Sequence, residues 1–387
     1  MDYSRILSST VQDIKPSGIR KFFDLLENMQ GVVALTVGQP DFITPWHIRV
    51  AAIESLENGK TYYTSNSGTL ELRQEISSYM NRRYDLTYDP KSEVIVTVGG
   101  SEAIDIAIRA LINPGDEVIV PQPAFVCYGP ICELAGGKPV YLNTKEENKF
   151  KLTAEELKSV ITDKTKLLVL PYPNNPTGAI MTSEDLEEIA EVLRGTDIMI
   201  LSDEIYCELT YGREHVSIAS LDGMRERTII ASGFSKTYAM TGWRLGYTLA
   251  PPEITKQMLK IHQYAIMCAP TTSQYAAVEA MRNGDPDVAM MRKEYNRRRR
   301  YIVGGLRSIG IECFDPEGAF YVYPNISKFG LTSEEFCERL LQEEKVAIVP
   351  GTAFGDCGEG FARISYAYSV EHIAKALDRM ERFVKKL

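Results

Sequence analysis

The chain has 387 residues, 44% of them hydrophobic and 25% charged, with a formal net charge of −9. That length exceeds one small core and calls for two domains, or one large α/β domain with an appendage. The acidic balance leaves no footprint for nucleic acid or an anionic membrane, and seven scattered cysteines without a CxxC pair argue against a disulfide framework or a zinc site.

In chain order, the N-terminal "MDYSRILSSTVQDIKPSGIRKFF" has no apolar run of the kind a secretion signal carries, and no later stretch reaches the length of a membrane span. With the cysteine pattern this makes a reducing, cytoplasmic setting the expectation. From about residue 90 to 250, short apolar runs alternate with helical patterns. The runs "VIVTV" (94–98), "EVIVP" (117–121), "KPVYL" (138–142), "KLLVLP" (166–171), "IMILS" (198–202), "TIIAS" (228–232) and "LGYTLA" (245–250) read as strands, most of them buried on both faces. Between several of them lie amphipathic helices. "SEAIDIAIRALI" aligns Ile104, Ala107, Ile108, Leu111 and Ile112, and "SEDLEEIAEVL" aligns Leu186, Ile189, Val192 and Leu193. This alternation predicts an α/β fold with a mostly parallel sheet covered by helices on both faces. The basic run Arg297–Arg300 sits in a helical pattern and reads as a solvated helix face. The last hundred residues mix the strands "GAFYVYPNI", "VAIVP" and "FARISYA" with helices, the last one opening at a cap, Ser369. They predict a smaller α/β domain built from both chain ends, residues 1–47 and 283–387, beside a large domain of residues 48–282. The four histidines, His47, His215, His262 and His372, form no ligand pattern and read as surface or packing residues.

Ligands of open parallel sheets bind beyond the carboxyl ends of the strands. After the first run comes Gly99-Gly100-Ser101-Glu102, which is either an ordinary helix entry or an anion site made of helix N-terminal amides. After the second comes "QPAFVCY", a stiff loop presenting Phe125, with Tyr128 a turn on. "YPNNPTG" follows the fourth, and Asn-Pro turns explain Asn174 and Asn175 adequately. Asp203 ends the fifth run, where an unpaired buried carboxylate is costly, and Tyr206 follows it. "SGFSKTYAMTGWRLGY" (232–247) follows the sixth, with Lys236 and Arg244 among small and aromatic neighbours. Each feature has a bland explanation alone; their convergence on one sheet edge does not.

Pyridoxal 5′-phosphate would use the whole set. Its aldehyde takes an amine, its pyridine nitrogen a buried acid, its ring oxygen an amide and a phenol, its phosphate a helix N-terminus and an arginine, and its ring a stacking partner. Here the sequence resembles a known family. Gly233-Phe234-Ser235-Lys236 followed through Thr241-Gly242-Trp243-Arg244-Leu245-Gly246 resembles the cofactor-attachment signature of the class I/II, fold type I aminotransferases. "GQPDFITP", "YYTSNSGTLELR", "YPNNPTG", "SDEIY", "PEGAFYVYP" and "ARISYA" resemble further blocks of that family, in its order, over nearly the whole chain.

The resemblance implies these roles. Lys236 forms the Schiff-base link and then carries the proton. Asp203 pairs with the ring nitrogen, Tyr206 and Asn175 hold the ring oxygen, and Phe125 stacks on the ring. Gly100, Ser101, Glu102 and Arg244 hold the phosphate, with Tyr63 reaching it from the partner of a homodimer. Many relatives place a phosphate-binding serine where this chain has Gly233, and Ser232 or Ser235 would substitute. Arg363 forks the substrate carboxylate, helped by Asn175 and the backbone of Gly38. The implied activity is ping-pong transfer of an α-amino group from an L-amino acid to a 2-oxo acid such as 2-oxoglutarate. A β-lyase or other elimination on the same scaffold, and a cofactor-binding sensor domain, are the competing readings; only a short segment precedes the matching region. "IKPSGIRKFFDLLENM" resembles the N-acetyl-diaminopimelate branch, next to aspartate and aromatic aminotransferases. Lys15, Ile19 and Arg20 lie where relatives line the side-chain pocket.

Overall fold

The apolar runs between residues 94 and 250 assemble into one seven-stranded sheet in a computed structural model, which describes the chain apart from residues 2, 17 and 19–28. The strands are β1 (Val33–Ala34), β2 (Val94–Thr97), β3 (Glu117–Gln122), β4 (Lys138–Asn143), β5 (Thr165–Leu170), β6 (Met199–Asp203), β7 (Thr228–Gly233), β8 (Gly246–Leu249), β9 (Tyr321–Val322), β10 (Val346–Ala347), β11 (Val349–Pro350) and β12 (Ala362–Ser365). The large sheet runs β2-β8-β7-β6-β5-β3-β4. Its pairs are parallel except those of β8, which is antiparallel to both β2 and β7. Every residue of β2, β7 and β8 is buried, whereas the edge strand β4 is largely open.

The pleat explains the two-sided burial. Ile95, Val118, Val120, Leu201 and Ile229 face one layer, with Ile104 and Ile108 of the helix Gly99–Leu111 and Met258 of the helix Pro252–Ala265. Val94, Val96 and Ile230 face the other, against helices Trp46–Glu57, Leu70–Tyr84 and Thr271–Asn283. Farther along that second face, Leu168, Leu170 and Ile200 meet Leu186, Ile189 and Leu193 of the helix Ser183–Leu193. The chain is thus α/β with a mostly parallel sheet between helical layers, as its pattern predicts.

The two ends of the chain meet in a separate core. β1 pairs parallel with β10, Val33 opposite Val346, and β11-β12-β9 form a small antiparallel sheet. Helices Asp285–Ser308, Ser333–Glu344 and Val370–Val384 pack their apolar faces there. Ser369 caps the last helix, its hydroxyl accepting from His372 N–H at 3.2 Å. The helix Trp46–Glu57 spans the domain boundary drawn at residue 48.

The basic run departs from a purely solvated face. Arg298 is buried and pairs with Asp41 at 2.7 Å and Glu294 at 2.9 Å, while Arg297 stays outside on Glu294. Among the described residues no helix is long and apolar enough to cross a membrane.

Candidate active site

Because β8 runs against both β2 and β7, those two strands point the same way, and β2, β3, β5, β6 and β7 all end on one edge. β8 begins on that edge. The strand ends there enclose a cavity of about 250 Å³. Its walls include Gly38, Gly100, Ser101, Phe125, Asn175, Asp203, Tyr206, Ser235, Lys236, Arg244 and Arg363.

β7 passes into the helical turn Phe234–Thr237, which lifts Lys236 into the cavity, its Nζ donating to the Gly38 carbonyl at 2.6 Å. Burial, then the nearby Arg244 and Arg363 cations, pull its pKa down to about 8, against an opposing pull from Asp203. Asp203 closes β6. Burial raises its affinity for a proton, and two donors act against that: Tyr128 hydroxyl at 2.6 Å and Ile205 N–H at 3.1 Å. The next residue, Glu204, turns away and is held by Ser202, Ser217 and His215. Asp203 is therefore a fixed acceptor at the cavity floor, with Phe125 on the wall.

Tyr206 and Tyr321 hydroxyls lie 2.7 Å apart. Burial raises the pKa of Tyr206, so both phenols stay protonated donors at neutral pH. Arg363 Nη1 donates to Asn175 Oδ1 at 3.1 Å. An arginine has donors only, so the amide oxygen must face it and the NH₂ of Asn175 is left to donate elsewhere. Arg363 also donates to the Thr36 carbonyl, and its guanidinium lies 4.8 Å from both the Tyr321 and the Phe354 ring centres. Its Nε and the Thr36 hydroxyl are buried without a partner among the described residues. A buried cation with an open donor is a receptor for an anion.

A second anion receptor is built where β2 and β8 meet. The helix Gly99–Leu111 starts at Val98, which offers no side-chain cap to its first amides. Gly99 has φ 75°, and a Cβ there would lie 2.7 Å from Arg244 Nη2. A Cβ on Gly246 would lie 2.5 Å from the Gly99 carbonyl carbon, so glycine is required for this approach. Arg244 reaches the cavity from the left-handed region, φ 51°.

Two of the sequence candidates direct their side chains elsewhere. Ser232 is spent on the Glu204 carbonyl at 3.2 Å, which leaves Ser235 on the cavity wall. A side chain at position 233 is crowded, since its Cβ would meet Gly246 Cα and Leu245 O at 3.0 Å. Glu102 directs its carboxylate to Val98 N–H and His262 Nδ1, away from the cavity, so only its backbone remains for the phosphate role. Tyr63, whose expected role is at the partner's phosphate, is 79% exposed and does not line its own chain's cavity. Lys15 is also exposed, and Ile19 and Arg20 lie outside the described residues. Conversely, Thr36, Tyr128 as the partner of Asp203, and Tyr321 were not singled out by sequence. Tyr321 lies inside "GAFYVYP", where it looks like one more strand aromatic.

Gly38 has its own steric reason. A Cβ there would fall 2.2 Å from the Tyr321 hydroxyl oxygen. Gly38→Ala is expected to displace Tyr321 and the Gly38 carbonyl together, lowering kcat/KM by roughly 10–100-fold while destabilising the fold by only about 1–3 kcal/mol. Steady-state kinetics beside a thermal melt check this; unchanged kinetics would show that the loop relaxes freely.

Comparison with known proteins agrees with this geometry. The family model described as aminotransferase class I and II matches residues 30–380. A putative aminotransferase of Bacillus subtilis is 54% identical over 98% of both chains. A probable N-acetyl-LL-diaminopimelate aminotransferase of the same organism is 46% identical, covering 98% of this chain and 96% of its own length. The crystal structure of an aromatic aminotransferase from Pyrococcus horikoshii superposes with a TM-score of 0.90 at 46% identity, covering 94% of this chain and 99% of that one.

Proposed function

The chain belongs to the class I and II aminotransferases, and from that premise we propose that this cavity binds pyridoxal 5′-phosphate and is the site of amino transfer. One observation carries the assignment: a single buried amine, Lys236, stands between a fixed buried carboxylate and two separate anion receptors. The donor set fits the cofactor. Asp203 suits a protonated ring nitrogen, Tyr206 and the Asn175 amide suit the ring oxygen, and Phe125 suits the ring face. The helix amides at Gly100, Ser101 and Glu102, with Ser235 and Arg244, suit the phosphate. Bound there, pyridoxal phosphate supplies an aldehyde that captures the substrate amine and a ring that withdraws electrons from its α-carbon.

The chain's own residues supply the rest. Arg363, with its open Nε and Thr36 beside it, grips the carboxylate shared by amino acids and 2-oxo acids. That grip sets the α-carbon hydrogen toward Lys236. Lys236, when free, is the base that takes this proton, and the Gly38 carbonyl is an acceptor that steadies its ammonium. The reaction proceeds in two alternating halves, with one 2-oxo acid leaving before another, such as 2-oxoglutarate, enters. N-acetyl-diaminopimelate, aromatic and acidic amino acids are the donors to test first.

The same reading takes the working unit as a homodimer in the cytoplasm, with Tyr63 serving the neighbouring site. Exposed Trp46, Tyr62, Tyr63 and Tyr264 support an association surface. It also takes residues 48–282 as the large domain and both chain ends as the small one, supported by the pairing of β1 with β10.

The lysine's depressed pKa gives a signed prediction. Only a neutral amine attacks an aldehyde, so covalent uptake of pyridoxal phosphate by the cofactor-free protein rises with pH through about 8 and levels off above it. Below that point each pH unit slows uptake about tenfold. Stopped-flow absorbance reads the rate; a rate still climbing tenfold per unit beyond pH 9 would contradict the environment described for Lys236. The overall assignment is tested by adding single amino acids to the yellow protein. Bleaching by some of them, and recovery with 2-oxoglutarate, establishes amino transfer and ranks donors; a spectrum that no amino acid changes would move the protein to another reaction.

A further inference from the structure

His262 lies on the helix Pro252–Ala265, which packs against the helix Gly99–Leu111, and its side chain is completely buried. Its Nδ1 is 2.6 Å from Glu102 Oε1, and its Nε2 has no partner among the described residues. The other Glu102 oxygen, Oε2, accepts from Val98 N–H, one residue before the helix. The carboxylate is therefore folded back over the helix start and held there between Val98 and His262. The arrangement is not explained by packing alone, since an apolar residue would fill the same space without leaving a buried nitrogen unpaired.

Its consequence lies at the helix start. Gly100 and Ser101 line the cavity, and Val98 offers their helix no side-chain cap. A carboxylate in the first turn reaches back to the N-cap N–H, as Glu102 does with Val98, and holding it there keeps the entry of the helix in one conformation. We propose that His262 is a positioning residue for the cofactor's phosphate: it pins the Glu102 carboxylate on Val98 N–H and so fixes the turn that presents the amides of Gly100 and Ser101. This rests on assigning those amides to the phosphate, and assigns Glu102 the role of a tether in place of a side-chain ligand.

The test compares two probes that differ only in the phosphate, pyridoxal phosphate and pyridoxal, titrated into cofactor-free protein and read by absorbance. In His262→Met the donor is lost with little change in volume. The dissociation constant for pyridoxal phosphate is expected to rise about tenfold while that for pyridoxal stays constant. Glu102→Ala removes the same tether and is expected to weaken pyridoxal phosphate by a similar factor, with the double variant little worse than either single one. His262→Asn, polar but too short for the contact, replaces the methionine variant if the latter does not fold. Equal weakening of both probes would reduce His262 to packing and overturn the proposal, as would no change in either. A native protein that takes up neither probe would instead overturn the cofactor assignment beneath it.

Discussion

Lys236→Ala is expected to fold and to lose amino transfer by more than about 10⁴-fold, because positioned proton transfer alone contributes about 10²–10⁴-fold and the covalent attachment disappears as well. The fold does not depend on the ammonium. Its one hydrogen bond is to the Gly38 carbonyl, and burial together with two neighbouring arginines disfavours its charge. The cofactor-free variant should therefore melt no lower than the parent below pH 8, where the parent's lysine is held charged against its environment. The sign follows from linkage. A folded pKa below the unfolded value means that the unfolded chain binds the extra proton between about 8 and 10.5, so this lysine's cost is full below 8 and fades as pH rises. Single-turnover assays with an amino acid and 2-oxoglutarate, beside melts at several pH values, measure both effects. Substantial turnover without Lys236 would remove it from the chemistry.

Arg363→Ala is expected to lower kcat/KM for every amino acid and every 2-oxo acid by a similar factor. Two hydrogen bonds to a carboxylate, at about 1.5–3 kcal/mol each, correspond to a loss of about 10²–10⁴-fold. The uniformity is the diagnostic part, since the α-carboxylate is what all these substrates share. Arg363→Lys keeps a charge between the Tyr321 and Phe354 rings but loses the fork, so it should recover only part of the loss. A defect confined to one donor would place Arg363 at a side-chain subsite. The substitution also frees Asn175 Oδ1, and a shift in the cofactor's absorption spectrum without substrate would show that the two residues act as a unit.

Much of the architecture was legible because the signals are local. Runs such as "TIIAS" are apolar at successive positions, which a strand buried on both faces demands, and β7 indeed exposes none of its residues. The strand-end residues Lys236, Asp203 and Arg244 stood out because charge beside a buried strand needs a reason. Arg298 was misjudged for the complementary cause. Inside a run of four arginines it looks like a solvated face, yet Asp41, 257 positions away, supplies the partner that lets it be buried.

The sequence by itself determined the strand and helix alternation, the family signature around Lys236 and the five chemical groups that follow five strands, since each depends on neighbours along the chain. It could not choose between Ser232 and Ser235, because that depends on which hydroxyl the Glu204 carbonyl captures. Nor could it show that Tyr128 holds Asp203, that Tyr321 sits on Gly38, or that Glu102 faces His262 and not the cavity. Those are contacts between residues 75 or more positions apart. They exist only once the parallel strands end on one edge and the two chain ends close their own core beside it, and hydrogen bonds are decided at distances of about 3 Å that no spacing along the chain encodes.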